Sequence, residues 1–371
     1  MIRVAYDSQI FTQQAYGGIS RYICELARRV GARGDIAPRI VAPMHINAYI
    51  GSLPCSLWRG YANCLSDWPE LVRRVAYKGT EEWLLRSYRP KVIHETYYAW
   101  TGRGPAAVRR VLTIHDMIHE KFAGAFKELR GDVAARKRQA ALRADHLIFI
   151  SEATRRDALE LLDIDAAHTS VVHLGFDLML LDPAVDDWAP PAGRRYILHV
   201  GLRGGYKNFS TLARAYASSR TLRADFRLVC FGGGVLTSGE VAMLKGFGLS
   251  ERDVECVQGN DQLLRHLYRH AAVFVYPSLY EGFGIPPLEA MAHDCPVACS
   301  NTSSIPEVVG DAGEYFNPSD SDSIRAALET VLSNPTMRAE RVRLGRLRLG
   351  AFSWDRCAAE TAAVYRVVTA S

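Results

Sequence analysis

Short apolar, β-branched runs alternate with longer segments of helical periodicity along most of this chain. No other feature restricts the fold as strongly. Strands separated by helix-length crossovers must pair in parallel, and the helices must then cover both faces of the sheet. The first half offers strands at Ile2–Asp7, Ile36–Val41, Val92–Thr96, Val111–His115, His146–Ile150 and Ser170–Leu174. The second half offers Tyr196–Val200, Phe226–Phe231, Val254–Gln258, Val273–Tyr276, Val297–Ser300 and Gly313–Phe316. Each set is large enough for a sheet of its own, and 371 residues exceed what one core usually organises. The expected fold is α/β, with two Rossmann-like doubly wound domains facing a cleft. The expected divisions are 1–182, 183–352 and a closing helical segment, 353–371. The stretch Leu181–Arg194 is rich in Pro, Asp and Gly, has no apolar period, and reads as the linker.

Composition narrows the class. A hydrophobic share of 48% and a charged share of 23% suit a globular protein, and no apolar run is long enough for a transmembrane helix. The opening MIRVAYDSQIF enters a strand without an apolar signal core, so a cytosolic location is expected. Cys24, Cys55, Cys64, Cys230, Cys256, Cys295, Cys299 and Cys357 are scattered singly and read as mostly buried small hydrophobes. Charge is uneven. Residues 1–143 carry 23 Lys and Arg against 12 Asp and Glu, and the remainder carries 22 against 28. A basic first half suits either an anionic partner, such as a membrane face or acceptor, or ordinary solvated helix faces. Leu71–Lys91 and Lys127–Arg143 are its two basic stretches. Nucleic acid is not an expected partner.

Doubly wound sheets bind ligands beyond the carboxyl ends of their strands, which directs attention to four segments. Gly17-Gly18 follows the first strand and opens a helix, a place where backbone can approach a ligand, although a plain tight turn needs the same glycines. His115-Asp116 ends a strand, where the imidazole can donate to a sugar hydroxyl or a phosphate. With His119 the spacing resembles a metal pair, but HDMIH lacks the glutamate of HExxH. In Gly201-Leu202-Arg203-Gly204-Gly205-Tyr206-Lys207-Asn208, two cations sit on a glycine loop before a helix, which suits a diphosphate. There they would stabilise charge growing on a leaving group. Most specific is Tyr276–Met291, where a strand runs into Glu281-Gly282-Phe283-Gly284 and a helix begins near Pro287. The amides around Leu288 would meet a phosphate. Glu281 can accept from sugar hydroxyls and Glu289 can hold a ribose diol, or simply complement a helix N-terminus.

EGFGIPPLEAMA, with Glu281 and Glu289 eight residues apart, resembles the retaining glycosyltransferases of family 4. The resemblance continues through Pro296–Asn301 and Ser304–Gly313. Gly17-Gly18, His115-Asp116 and Arg203…Lys207 occur in the order it requires. VGLRGGYKN and HETYY look like the branch of bacterial mannosyl- and rhamnosyltransferases of polysaccharide assembly. The resemblance implies a GT-B fold, retention at the anomeric carbon, no metal and no cofactor beyond a nucleotide-sugar co-substrate. It implies that Glu281 contacts the donor hexose and Glu289 the ribose, that Arg203 and Lys207 contact the diphosphate, and that His115 lies near the transferred sugar. Gly17 and Gly18 would close over the donor, with Gly282, Phe283, Gly284 and Leu288 lining it. A final helix would cross back to the first domain near Phe352-Ser353-Trp354.

GDP-mannose is the expected donor and a glycan or lipid-linked molecule the expected acceptor, with peripheral attachment to a membrane face as a further expectation. A synthase or phosphorylase acting on a small sugar or sugar phosphate is the alternative. Glycoside hydrolysis fits less well, because two carboxylates on one loop–helix unit do not flank a scissile bond. A non-enzymatic carbohydrate binder would not need the diphosphate cations.

Overall fold

The structure, a computed structural model, describes residues 1–62, 70–176 and 194–370. The chain divides into two compact units. The first comprises Met1–Ala123, Leu129–Gly175 and Phe352–Ser371, and the second Gly124–Glu128 and Phe176–Ala351. The stretch proposed as a linker lies outside the described residues except for its last member, Arg194.

The first unit is built on strands β1 (Ile2–Tyr6), β2 (Ile36–His45), β3 (Trp58–Ala62), β4 (Val92–Glu95), β5 (Arg109–Ile114), β6 (His146–Phe149) and β7 (Thr169–Val171). They form one parallel sheet in the order β3-β2-β1-β4-β5-β6-β7. Six of these strands match the expected ones to within a few residues. β3 was not expected, because Arg59 and Gly60 interrupt its apolar pattern. The glycine is needed there, since a Cβ at Gly60 would run into the carbonyl of Ala42 on β2. Burial explains why the other strands were legible. β4 is buried at all four positions and β5 at five of six, so both read as continuous apolar runs.

The closing helix Trp354–Ala370 joins the core of this unit. Trp354, Ala358, Ala362 and Tyr365 pack with Val4, Tyr22, Leu26 and Ile148. The chain therefore returns to its first unit at Phe352. Inside, Tyr365 bonds the hydroxyl of Tyr6 at 3.1 Å and His94 Nδ1 at 2.6 Å, while His94 Nε2 meets Thr113 at 2.9 Å. Every polar atom of that chain lies among apolar neighbours, where an unpaired one would be costly.

The second unit holds β8 (Arg195–Val200), β9 (Phe226–Phe231), β10 (Val254–Val257), β11 (Val273–Tyr276), β12 (Val297–Ser300) and β13 (Gly313–Phe316). They form a parallel sheet in the order β10-β9-β8-β11-β12-β13. All six match expectation. Both sheets reverse their winding at one point, between β1 and β4 in the first and between β8 and β11 in the second. A crevice opens beyond the carboxyl ends of such a pair. Of the described cysteines, Cys24, Cys230, Cys295, Cys299 and Cys357 are buried, Cys256 is half-buried and Cys55 is exposed.

Candidate active site

At the switch point of the second sheet, two loops meet. β8 is followed by Gly201, and a single 3-10 turn, Gly205–Lys207, leads to Asn208 in the left-handed conformation, then to the helix Phe209–Ser218. β11 ends at Tyr276 and leads through Glu281–Gly284 into the helix Ile285–Ala292, whose first turn carries Pro286 and Pro287. The Leu279 amide donates to the Tyr206 carbonyl at 2.8 Å, and the Asn208 amide nitrogen donates to the carbonyls of Pro277 at 2.9 Å and Pro318 at 2.7 Å. Ser303 accepts from the Glu281 amide, and Ser304 donates to the carbonyls of Glu281 and Phe283 at 2.8 and 2.7 Å. A glycine-rich loop with this many anchors is preorganised rather than slack.

These anchors bring Lys207 and Glu281 together. The ammonium donates to Glu281 Oε1 at 2.7 Å, with both side chains mostly buried. The Tyr276 ring lies 5.8 Å from the ammonium, and its phenol is hydrogen-bonded to Glu281; burial, then that carboxylate, pushes the phenol pKa up and keeps it protonated. Glu289, on the first turns of the following helix, is half-buried and accepts from the Tyr268 hydroxyl at 3.1 Å. Leu288 is fully buried, so it contributes backbone rather than side chain. Gly284 has φ +121°, a region few other residues adopt, which turns the loop into the helix. Together these groups offer a cation, two carboxylates and a helix N-terminus beyond the strand ends. That set suits a phosphorylated ligand bearing hydroxyls.

Arg203 lies on the same loop, with protein partners of its own. Its side chain is almost fully buried. Nε donates to Glu240 at 2.7 Å, one terminal nitrogen donates to the Gly232 carbonyl at 2.9 Å, and the other to the carbonyls of Gly233, Gly234 and Val235 at 3.0–3.1 Å. Gly232, Gly233 and Gly234 all have positive φ, and this curl aims their carbonyls at the guanidinium. Arg203 thus clamps the loop after β9. Glu240, its partner, was not singled out from sequence. Thr237 and Glu240 form a capping box on the helix Ser238–Gly246, and the T-x-x-E spacing was the available signal. Nothing in the sequence marked Tyr268 or Ser303 as partners of the two glutamates.

The remaining candidates lie in the first unit. Gly17 is the N-cap of the helix Gly18–Gly31, and a Cβ at Gly17 would meet the Gln14 side chain, which itself accepts from the Ser20 amide. His115 follows β5, packs edge-on against Tyr22 at 5.4 Å, and its amide donates to the Tyr98 hydroxyl at 3.3 Å. Burial lowers its pKa to about 4 against the opposing pull of Asp116, so the imidazole is neutral at pH 7. Lys137, read as part of a basic surface, is fully buried and donates to the Asp116 carbonyl at 2.7 Å and to Glu120 at 2.8 Å. Arg143 likewise pairs with the buried Glu95 at 2.7 Å. Their stretch therefore presents fewer free cations than its sequence suggests; Lys127, Arg130 and Arg138 remain exposed. Among the described residues, no helix is long and apolar enough to cross a membrane. A wider depression of about 610 Å³, lined by Arg195, His270 and Arg338 among others, sits at the amino end of β8, away from the strand end that bears Lys207.

Comparison with known proteins identifies the family and the fold. The model of Glycosyltransferase Family 4 matches residues 16–180, and that of Glycosyl transferases group 1 matches residues 184–348. O-antigen chain mannosyltransferase B of Escherichia coli is 27% identical over 95% of this chain and 96% of its own length. MMP alpha-(1->4)-mannosyltransferase of Mycolicibacterium hassiacum is 32% identical over 62% of this chain and 56% of its own. Among solved structures, sucrose-phosphate synthase from Thermosynechococcus elongatus superposes with a TM-score of 0.77 at 21% identity, covering 100% of both chains. HepE of Anabaena, solved with UDP and glucose, superposes at 0.65 and 16% identity over 98% of both.

Proposed function

Because the chain belongs to the glycosyltransferases that these two family models describe, we propose that it transfers a hexose, most simply mannose from GDP-mannose, to a glycan or lipid-linked acceptor in polysaccharide assembly. The observation that carries the reading is the Lys207–Glu281 pair, 2.7 Å apart at the switch point of the second sheet, with Glu289 on the adjoining helix. The full-length likeness to an O-antigen mannosyltransferase supports the choice of sugar.

In this reading the diphosphate lies against Lys207 and the helix N-terminus, and the hexose against Glu281. The bond between the anomeric carbon and the diphosphate oxygen breaks. The acceptor oxygen bonds to the same face of that carbon, and its proton passes to the departing phosphate oxygen. Lys207 neutralises charge as it grows on the leaving group, in a position where the protein has already ordered it. Retention, independence of metal and the absence of any cofactor beyond the co-substrate are parts of the same proposal.

The test is a thermal-shift panel of GDP, UDP, dTDP and ADP, followed by transfer assays with and without EDTA. A nucleotide at 100 times its Kd stabilises by about 2.7 kcal/mol. GDP should give the largest shift, and transfer should survive EDTA. No shift with any of the four would remove the proposed donor site. Loss in EDTA restored by Mn²⁺ would overturn metal independence alone.

A further inference from the structure

The depression of about 610 Å³ has its floor at the amino ends of β8, β11 and β12, three neighbours in the second sheet. Arg195 opens β8, Ala272 precedes β11 and Pro296 precedes β12. Its sides are His270, at the end of the helix Asp261–His270, and one face of the helix Pro335–Leu349. All of it belongs to the second unit, at the opposite end of the strands from Lys207 and Glu281.

Among the described residues, four arginines and a histidine line this space against one carboxylate, that of Asp294. The helix Pro335–Leu349 separates arginines that serve the fold from those that do not. Arg341 donates to Glu314 at 3.1 Å and Arg348 to the Val308 carbonyl at 2.9 Å. Arg338, Arg343 and Arg346 lie on a different face, toward the depression. Arg343 bonds Glu340 through two nitrogens at 2.7 Å, and Arg346 bonds Asp294 in the same way at 2.6 and 2.7 Å. Both pairs are exposed, so exchanging the carboxylate for a phosphate costs little. Arg195 stacks 4.8 Å from the centre of the Phe226 ring, a contact that uses the face of the guanidinium and leaves its N–H edge. Among the described residues, neither Arg195 nor Arg338 has a carboxylate partner.

We propose that this depression is a second ligand site and that it takes a nucleoside polyphosphate, with the phosphates against Arg195, Arg338, Arg343 and Arg346 and the base over Ala272, Pro296 and Val342. Arginine forks match phosphate oxygens, and four of them suit a chain of phosphates better than a single one. The alanine, proline and valine surface offers no side-chain partner to hydroxyls, so it suits a planar base better than a sugar ring. The volume lies in the range of small-molecule sites, and a bare phosphate would fill little of it. None of these residues belongs to the donor loops, so the site stands or falls apart from the glycosyltransferase reading.

The donor reading favours guanine, which makes ATP the better probe. Calorimetry of the full chain with ATP, tripolyphosphate and adenosine is run in EDTA, so that the phosphates carry their full charge. ATP should bind at least about tenfold more tightly than either of its two parts. Arg195→Gln and Arg338→Gln should each weaken ATP about tenfold or more, at an unchanged melting temperature. Lys207→Ala should leave ATP affinity as it is. An absence of ATP binding, or an ATP affinity that both glutamine variants leave untouched, would overturn the proposal. So would a loss of ATP affinity in Lys207→Ala, which would put the nucleotide at the other end of the sheet. Tripolyphosphate binding as tightly as ATP would overturn the choice of a nucleotide.

Discussion

Lys207 and Glu281 neutralise one another across 2.7 Å, whereas Glu289 is held by an uncharged partner, the Tyr268 hydroxyl. In the proposed reading Glu281 faces the sugar ring and Glu289 the ribose. Glu281→Gln then replaces a charged acceptor with a neutral one and breaks the ion pair with Lys207. Transfer should slow by about 10- to 150-fold, the cost of a carboxylate–hydroxyl hydrogen bond of about 1.5–3 kcal/mol. Affinity for the free nucleoside diphosphate should stay the same or tighten slightly. Glu289→Gln should weaken free nucleoside diphosphate and intact donor alike, by a similar factor, because the ribose is common to both. Calorimetry with the nucleoside diphosphate alone reads the contrast, and the reverse pattern would exchange the two roles.

Arg203 belongs to the scale of elements. It ties the glycine loop after β9 to the helix Ser238–Gly246 through Glu240 and four carbonyls. Arg203→Ala removes the guanidinium from those carbonyls and leaves Glu240 only its capping-box bonds to Thr237, and breaking such a pair costs about 3 kcal/mol. The substitution should therefore lower the melting temperature as well as the transfer rate. Lys207→Ala at the loop's other end should slow transfer by about 100-fold with little change in melting temperature. Differential scanning calorimetry of both variants beside their kcat/KM checks this. A stable, inactive Arg203→Ala would return Arg203 to the phosphate. Sequence spacing placed both cations correctly on one loop. It could not say which way each pointed, because side-chain direction depended on the curl of Gly232–Gly234, which lies on a different strand end.

Over the whole molecule, buried histidines set the response to acid. Burial holds His94 to a pKa of about 3, His115 to about 4 and His199 to about 3. Each is neutral in the folded chain and titrates near 6.5 when unfolded. The unfolded state therefore binds more protons below pH 6.5, and stability is lost as pH falls from there toward 4. Glu81 acts in the opposite direction, since its raised pKa favours the fold as the pH falls through about 7. Asp7 is raised by burial in the same sense, but these two carboxyls face seven imidazoles lowered by burial, with His45, His119, His146 and His293 beside the three above, which leaves a net loss. Melting temperature should fall steadily between pH 6.5 and 5, and His115→Gln should flatten part of that slope. A melting temperature that is level or rising over the same range would show that these imidazoles are already charged in the fold.

Two parallel sheets were legible without coordinates, because strands buried on both faces must be apolar along their length and helices between them must be amphipathic. The same holds for the EGFGIPPLE loop, where proline and glycine are demanded by local backbone geometry at a strand-to-helix turn. β3 escaped because its pairing with β2 depends on a glycine fitting against a distant carbonyl. The inward turn of Lys137 and Arg143 and the clamp formed by Arg203 escaped for a related reason. Each is a matter of where a long polar side chain finds its partner, and those partners lie tens of residues away, at places that only the winding of the sheets brings near. Local pattern determines which segments become strands and helices; the pairing of buried charge is decided in three dimensions.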